Sequence, residues 1–159
     1  MSFKIKNGDI ENALLIMKEA ANRLIKTGKE MWNPEDITKE KILRNIAEKD
    51  IYIGYIDDEP AGSMILQWDD KFFWPNIGEN ESGFIHKLAV RQKYAGKKIS
   101  NYMVQFAEEE CRKRGIKYLR LDCAADRPKL CKFYENLGFR MVDRRMIDKY
   151  DTAFYEKKL

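Results

Sequence analysis

The sequence has little of what metal centres and disulfide scaffolds require. Among its 159 residues there is one histidine, His86, which excludes a site with several histidine ligands. There are three cysteines, an odd number, and their spacing is not that of a metal site. We therefore expect reduced thiols, as in a cytosolic protein.

Long apolar runs and a strong excess of one charge are also missing. No run approaches the ~20 apolar residues that span a bilayer, and the amino terminus lacks the apolar centre of a signal peptide. We expect a cytoplasmic protein without a membrane partner. The net charge is +4, from 30 basic and 26 acidic residues. The basic residues are spread along the chain, which fits an anionic small molecule and gives no reason to expect a nucleic-acid partner.

The composition that is present is typical of a globular protein. Hydrophobic residues make up 44% and charged residues 35% of the chain. The length suits one domain over residues 1–159 that buries its own core. Repeats, linkers and low-complexity segments are not recognisable.

Hydrophobic spacing predicts four helices separated by strands. The first extends from Asp9 to Gly28, the second from Thr38 to Glu48 and the third from Ile99 to near Gly115, and Asp126 is expected to cap a fourth. Runs of β-branched and aromatic residues predict strands at residues 4–6, 51–56, 61–68, 84–90, 118–123, 139–147 and 152–157. A long loop separates the third and fourth strands. The central strand–helix–strand unit implies a parallel pair with a right-handed crossover.

The stretch from Leu88 to Ser100 carries the first chemical signal. A strand ends there, a short basic loop follows, and a helix begins, whose unpaired amides favour an anion. Gly96 permits close approach of backbone to a phosphate, and three lysines would attract a pyrophosphate: Lys93, Lys97 and Lys98. An ordinary strand–helix connection with solvated lysines is the alternative. A P-loop is excluded because Arg91 and Lys98 occupy positions that require glycine and serine or threonine.

Three segments together resemble the GNAT superfamily of N-acetyltransferases. These are the run from Leu88 to Ser100, the run Arg120–Ala124, and the Phe-Tyr-Glu-Asn-Leu-Gly-Phe block at Phe133–Phe139. The resemblance implies an α/β (α+β) fold with a mixed, mostly antiparallel sheet of about six to seven strands and about four helices. It also implies acetyl-CoA as acetyl donor, an amine as acceptor, and transfer without a covalent enzyme intermediate. A homodimer is compatible with the resemblance.

The resemblance assigns the cofactor to the strand and loop. The strand end would pair with the pantetheine arm, and the loop amides would hold the pyrophosphate. The residues assigned to the cofactor are Leu88, Ala89, Val90, Lys93, Ala95, Gly96, Lys97, Lys98, Ile99 and Ser100. The loop departs from the common family pattern, because Ala95, Lys98 and Ser100 stand where glutamine or arginine, glycine, and glycine or alanine are usual. This irregular loop motivates an alternative function, a non-catalytic acyl-CoA-binding or regulatory module.

The resemblance also assigns catalytic residues. Tyr134 matches the tyrosine that protonates the departing CoA thiolate, and the alternative is a core tyrosine with a hydrogen-bonded hydroxyl. His86 is a candidate base that, by strand alternation, shares a face with Leu88. A structural histidine remains an alternative to this role, and Glu79 and Glu81 are alternative bases.

Residues for the acceptor are expected on the amino-terminal helices, the following loops and the hairpin. Trp32 and Trp68 suit an amine through cation–π contact, and Glu81 is assigned to the acceptor with them. The same segments carry Trp74, Asp69 and Asp70, and a mixture of aromatic and acidic residues would suit an amine through cation–π contact and charge pairing. Tryptophans are also common core anchors, and Asp69 and Asp70 also suit a polar turn. The sequence leaves the acceptor open among small amines, amino acids, aminoglycoside-like compounds and protein amino termini.

Overall fold

The computed structural model describes residues 2–159, and its seven strands form one mixed sheet. The strands are β1 (Phe3–Asn7), β2 (Ile51–Ile56), β3 (Glu59–Gln67), β4 (Gly83–Val90), β5 (Tyr118–Ala124), β6 (Arg140–Ile147) and β7 (Tyr150–Lys158). Their order is β1-β2-β3-β4-β5-β7-β6. Antiparallel pairs join β1 to β2, β2 to β3, β5 to β7 and β6 to β7, whereas β4 runs parallel to β5. The mixed, mostly antiparallel sheet and the parallel pair agree with the sequence predictions.

Four α-helices are present: α1 (Ile10–Lys26), α2 (Lys39–Ile42), α3 (Ile99–Lys113) and α4 (Pro128–Asn136). Asp9 caps α1 as predicted, since its carboxylate accepts a hydrogen bond from the amide of Asn12 at 3.2 Å.

Two predicted helix boundaries were wrong. The helix α2 ends at Ile42 rather than near Glu48, and a separate 3₁₀ turn follows, held by a 3.0 Å hydrogen bond from the Ala47 amide to Asp50 Oδ2. Asp126 does not cap α4, because Pro128 occupies the start of the helix and the capping position falls on Arg127.

The chain divides into two compact units. The first comprises the residues up to Leu66 together with Lys87–Val104, and the second comprises Gln67–His86 together with Gln105–Leu159. In the first unit, α1 packs on β2 around a buried aliphatic core. This core consists of Ile10, Ala13, Ile16, Met17, Ala20, Ala21, Ile37, Ile42, Ile51, Ile53, Ile65 and Ala89.

The second unit buries aromatic residues and one arginine. Its largest fully buried side chains include Phe84, Phe154 and Tyr155. Arg120 is buried, lies 3.2 Å from Glu156 and also hydrogen-bonds Ser82. Pairing this charge with a carboxylate and a hydroxyl satisfies it inside the unit.

The long loop between β3 and β4 contains no helix or strand, as predicted, and within the second unit one arginine of β6 fastens it. The guanidinium of Arg145 donates a 2.7 Å hydrogen bond to the carbonyl oxygen of Phe73. It also lies 3.9 Å from the ring centroid of Phe154. Within residues 2–159, no helix combines the length and the apolar character needed to cross a bilayer.

Candidate active site

The loop after β4 is anchored by a glutamate of α1. The Arg91 amide donates to the carbonyl of Ala61 at 2.8 Å, and the Arg91 side chain donates to Glu19 Oε2 at 3.2 Å. The amide of Gln92 donates to Glu19 Oε1 at 3.1 Å. Because one carboxylate holds two successive loop residues, the loop begins at a defined place beside α1 and β3. Sequence reasoning missed Glu19, which lies 72 residues from its partner Arg91.

A second carboxylate holds Lys93, one of the lysines assigned to the pyrophosphate. Lys93 Nζ lies 2.6 Å from Glu59 Oε1, and Arg91 lies 3.5 Å from the same oxygen. This hydrogen bond between Lys93 and Glu59 lowers the pKa of the Glu59 carboxyl and raises the pKa of the Lys93 ammonium group. Lys97 and Lys98 are exposed and form no ion pair within the described part of the chain, which leaves their charges available to an anion.

The loop backbone leaves a row of amides for a ligand. Gly96 and Lys98 both have left-handed backbone, with φ of 79° and 62°. Within the loop and the first turn of α3, the amides of Lys98, Ile99 and Ser100 have no acceptor. Amides of this kind at the start of a helix can bind phosphate oxygens.

Lys98 adopts a backbone conformation that is usual for glycine, although the loop sequence departs from the common family pattern there. It stands where the family commonly has glycine, and its φ of 62° lies in the region that glycine favours. A side chain in this region costs about 1–2 kcal/mol. The sequence therefore departs from the common pattern while the backbone adopts a conformation typical of glycine.

A glycine in β3 brings the end of β4 close to the start of α3. A Cβ atom on Gly62 would lie 2.8 Å from Ile99 Cγ2 and 3.2 Å from the carbonyl oxygen of Ala89. Ile99 and Ala89 are themselves buried. Arg23 of α1 also donates to the carbonyl of Val90, at 3.4 Å. These contacts bring the predicted cofactor strand and the predicted phosphate helix together within the first unit.

The strand β4 contains one residue with left-handed backbone, Lys87. This residue has φ of 49°, and the register with β5 covers Gly83 to Ile85. The prediction that His86 and Leu88 share one face assumed regular alternation, from which a left-handed residue between them departs. The shared face of His86 and Leu88 stays a prediction.

Tyr134 lies in α4 within an aromatic cluster. Its side chain is 5% exposed, and its ring centroid lies 5.1 Å from Phe133, 5.8 Å from Phe139 and 6.3 Å from Tyr155. Nothing in the described part of the chain hydrogen-bonds its hydroxyl. In contrast, the Tyr155 hydroxyl donates to Glu135 at 2.8 Å.

The surroundings of Tyr134 favour its neutral form. Burial raises the pKa of the phenol, and charges near it, on Cys123, Asp122 and Cys131, would raise the pKa further. Burial likewise raises the pKa of the Cys123 thiol. A thiol with a raised pKa stays protonated at neutral pH, which agrees with a packing role and not with a nucleophile.

In the second unit, two carboxylates lie beside His86. His86 Nε2 is 3.5 Å from Asp70 Oδ2, and one ligand atom each from Asp70, His86 and Asp122 lie within 4.8 Å of one another. The Asp70 side chain is 7% exposed. Its Oδ1 accepts a 3.0 Å hydrogen bond from the Phe73 amide, whereas its Oδ2 has no hydrogen-bond partner among residues 2–159. Burial raises the pKa of Asp70.

From the sequence, Asp70 was a candidate for the acceptor amine, Asp122 had no assigned role, and neither was placed beside His86. They come from a loop and from a different strand, and only the chain path brings them to His86. Asp122 lies inside the Arg120–Ala124 segment, so its position in the family pattern was the one available signal.

The three residues assigned to the acceptor each have their own partner. The ring of Trp68 stacks against the guanidinium of Arg114, whose Cζ atom lies 3.9 Å from the ring centroid. Trp32 packs against the core of the first unit and lies 5.2 Å from Lys87 Nζ. Glu81 accepts a 2.8 Å hydrogen bond from the Gly78 amide and closes a turn.

Comparison with known proteins decides the family. The sequence model of the acetyltransferase (GNAT) family matches residues 17–139, which is most of the chain. The chain belongs to the GNAT acetyltransferase family. The chain is 27% identical over 143 residues to the uncharacterized N-acetyltransferase YesJ of Bacillus subtilis, covering 84% of this chain and 78% of YesJ.

Two further GNAT relatives span almost the whole chain. The glucosamine 6-phosphate N-acetyltransferase of Arabidopsis thaliana is 25% identical over 158 residues, covering 94% of this chain and 98% of that protein. The crystal structure of the PaiA N-acetyltransferase of Thermoplasma acidophilum in complex with coenzyme A superposes with a TM-score of 0.75. It is 24% identical, with 100% of each chain covered, and it supports the fold.

Membership of the GNAT family confirms three predictions. The chain is an acyltransferase, acetyl-CoA is its cosubstrate, and its seven-stranded sheet with four helices is the fold of its GNAT relatives. The family leaves open which residues act and which amine is acetylated.

Proposed function

We propose that this enzyme transfers the acetyl group of acetyl-CoA directly to a primary amine, with Tyr134 as the general acid for the CoA thiolate. The observation that carries the proposal is the Tyr134 hydroxyl, which has no hydrogen-bond partner among residues 2–159 although the residue as a whole is 5% exposed. A tyrosine hydroxyl in a core normally has a partner, as Tyr155 has in Glu135. A hydroxyl without one is available to a substrate atom.

The protonation state of Tyr134 suits this role. Burial raises the pKa of its phenol, so the proton is present at neutral pH. As the amine nitrogen forms its bond to the thioester carbonyl carbon, the carbon–sulfur bond breaks and the electron pair remains on sulfur. Tyr134 gives its proton to that sulfur, and a proton from the acylated nitrogen restores the phenol.

We assign the cofactor to the first unit. The backbone at Leu88–Val90 would pair with the pantetheine arm, and the amides at Lys98, Ile99 and Ser100 would receive the pyrophosphate oxygens. This assignment is supported by the unpartnered amides and by the left-handed backbone at Lys98. With a loop of this geometry, the irregular sequence no longer favours the non-catalytic alternative.

We assign the base to His86. Histidine is the commonest general base in enzymes, and the carboxylate of Asp70 lies 3.5 Å from Nε2 of His86. Of the two alternative bases, Glu79 and Glu81, the side chain of Glu81 is tied to the Gly78 amide in a turn.

The Tyr134→Phe variant tests the proposal against a matched control. We expect its kcat to fall by about 10²–10⁴-fold, with little change in the KM for acetyl-CoA, because only the proton donor is removed. The control, Tyr155→Phe, removes a hydroxyl whose partner is Glu135, so it should lower the unfolding free energy by about 1 kcal/mol and leave kcat nearly unchanged. The measurement is thiol release under saturating acetyl-CoA. Equal kcat for Tyr134→Phe and the wild type would refute the assignment.

We also propose that the enzyme is cytoplasmic and forms a homodimer. The cytoplasmic location is supported by three cysteines that are all buried and free. A homodimer is supported by β6, which lies at one end of the sheet and exposes Met141, Val142 and Met146.

A further inference from the structure

We infer that Asp70, His86 and Asp122 form the site that receives the acceptor amine as an ammonium ion, and that the acceptor carries no anionic group beside that amine. The inference rests on the proposed function, since it names the acceptor class for the same reaction. It joins Asp70, an acceptor candidate from the sequence, to a second carboxylate, Asp122, that the sequence did not assign to the acceptor.

The geometry fits an ammonium nitrogen. A primary ammonium ion has three N–H donors, and its acceptors lie at about 2.8–3.0 Å from nitrogen. Acceptors that follow the tetrahedral directions at this distance are about 4.7 Å apart. The three side-chain atoms of the cluster lie within 4.8 Å of one another, and His86 Nε2 is 3.5 Å from Asp70 Oδ2. One nitrogen can therefore donate to the carboxylates of Asp70 and Asp122 with the imidazole of His86 beside it.

Asp70 is the strongest sign that a ligand belongs here. Only 7% of its side-chain surface is exposed, yet Oδ2 has no hydrogen-bond donor in the described chain. A buried carboxylate oxygen without a donor destabilises the folded state. An incoming N–H group would supply the missing donor.

The cluster and the proposed general acid belong to the same compact unit. Asp70, His86, Asp122 and Tyr134 all lie in the second unit, and burial and the charge of Asp122 both raise the pKa of the Tyr134 phenol.

The surrounding charges favour a cation without a nearby anion. Besides the cluster, the loop contributes Asp69, which pairs with Lys71 at 3.5 Å. From β6, Arg145 reaches this loop but donates to the carbonyl of Phe73 and pairs with Asp143. Two carboxylates facing one nitrogen would repel a carboxylate or phosphate on the adjacent carbon. The aromatic ring of Phe73, 6.3 Å from the imidazole centroid, suits an alkyl chain instead.

Two protons leave the acceptor nitrogen during the reaction. Neutral His86 takes one proton from the bound ammonium and passes it to solvent, which leaves a lone pair on nitrogen for attack. The acylated nitrogen then loses a second proton, which restores Tyr134 after it has protonated the CoA sulfur. The products are the N-acetyl amine, CoA thiol and one released proton.

The first test compares pentylamine with norleucine, which is the same amine with a carboxylate on the adjacent carbon. We expect kcat/KM for pentylamine to exceed that for norleucine at least tenfold. In Asp70→Asn and Asp122→Asn, the KM for pentylamine should rise about tenfold or more, and the preference over norleucine should shrink. Asp126→Asn is the control, an acid in the turn after β5 outside the cluster, and should behave as wild type. Acetylation of norleucine as efficient as that of pentylamine, or of neither amine, would overturn the inference.

A second readout separates a binding role from a structural one. Ionised Asp70 is disfavoured by burial in the folded state, so Asp70→Asn should unfold at a temperature about 2–4 °C higher than wild type at pH 7. Because a raised pKa means that folding favours the protonated acid, this gap should close as pH falls below the usual range of an aspartate. A lower unfolding temperature at pH 7 would show that Asp70 is structural and would contradict the inference.

Two controls keep this inference distinct from the proposed function. Acetyl-CoA binding by calorimetry should be equal in wild type and in all three variants, and loss of binding in the wild type would refute the proposed function itself. His86→Gln should lower kcat and remove the acidic limb of the pH–rate profile. A rise in unfolding temperature with added Zn²⁺ that is lost in Asp70→Asn would show a cation site and refute the ammonium assignment.

Discussion

At the scale of single residues, the loop after β4 depends on the backbone of one lysine. Lys98 adopts a left-handed conformation that glycine favours, and its amide is one of those left for a ligand. The lysine thus combines a strained backbone with a charge near a proposed pyrophosphate. Replacing it can separate these two effects.

Lys98→Gly should stabilise the fold, and Lys97→Gly should not. Relief of the left-handed strain at Lys98 should raise the unfolding free energy by about 0.5–1 kcal/mol, after the entropy cost of glycine is subtracted. Lys97 has no positive φ, so glycine there brings only that entropy cost. Urea unfolding measures both variants, and equal stability changes at the two positions would contradict the strain argument. Lys98→Ala, which keeps the strain and loses the amine, should not be stabilised.

Residue identity alone did not reveal the cluster around His86. The single histidine drew attention from the sequence because it is the only one. Asp70 was a candidate for the acceptor amine, but its approach to His86 and Asp122 was not predicted, because it depends on the path of the loop and on the pairing of β4 with β5. Contacts between distant segments leave no local pattern in a sequence.

At the scale of elements, α1 serves both the core and the proposed cofactor loop. One face buries aliphatic residues, while Glu19 on another face accepts hydrogen bonds from Arg91 and Gln92. A helix that is held by its core contacts gives this carboxylate a stable position.

Glu19→Ala should weaken acetyl-CoA binding with little effect on catalysis. The variant frees the start of the loop, so we expect the KM for acetyl-CoA to rise about tenfold while kcat stays within about twofold. Glu11→Ala is the matched control on the same helix, because Glu11 is exposed and its ion pair with Lys39 is long, at 4.0 Å. A KM unchanged by Glu19→Ala would show that the loop holds its position without this anchor.

The cap of α1 should make stability depend on pH. Burial raises the pKa of Asp9, but hydrogen bonds from Tyr55 and Asn12 outweigh it and the pKa is lowered. A lowered folded pKa means that this contribution is full above the unfolded pKa and disappears as pH falls through the folded value. The Asp9→Ala variant should therefore have an unfolding free energy about 1 kcal/mol lower than wild type at pH 7, and the difference should be smaller in acid. Asp9→Asn keeps a capping side chain at every pH. Parallel loss of stability in Asp9→Ala at pH 7 and pH 3 would contradict this account.

The elements themselves were largely predictable from spacing and turn chemistry. The helix α1 and its cap at Asp9 follow from the apolar period, and the strands follow from β-branched and aromatic runs. The errors lie where local signals compete. Pro128 moved the start of α4 past Asp126, and the turn at Ala47–Asp50 replaced the expected end of α2.

At the scale of the whole molecule, the chain divides its proposed tasks between its two units. The first contains the strand end and loop assigned to the cofactor, and the second contains Tyr134 and the His86 cluster. The resemblance of three short segments predicted the family because it spans both units, and the family match over residues 17–139 confirmed it. The left-handed backbone of Lys87 was not predictable, since a left-handed lysine within a strand has no signature in sequence.

The most direct test of the central claim is calorimetric titration of the purified enzyme with acetyl-CoA, with CoA and NAD as comparison ligands. The account predicts micromolar binding of acetyl-CoA and of CoA, since both carry the pantetheine arm and the pyrophosphate, and no binding of NAD. It also predicts that charge-reversal at the exposed lysine beside the loop, Lys97→Glu, weakens acetyl-CoA binding about tenfold. Absence of binding by either form of coenzyme A, or equal binding of NAD, would contradict the assignment of the loop and with it the proposed chemistry.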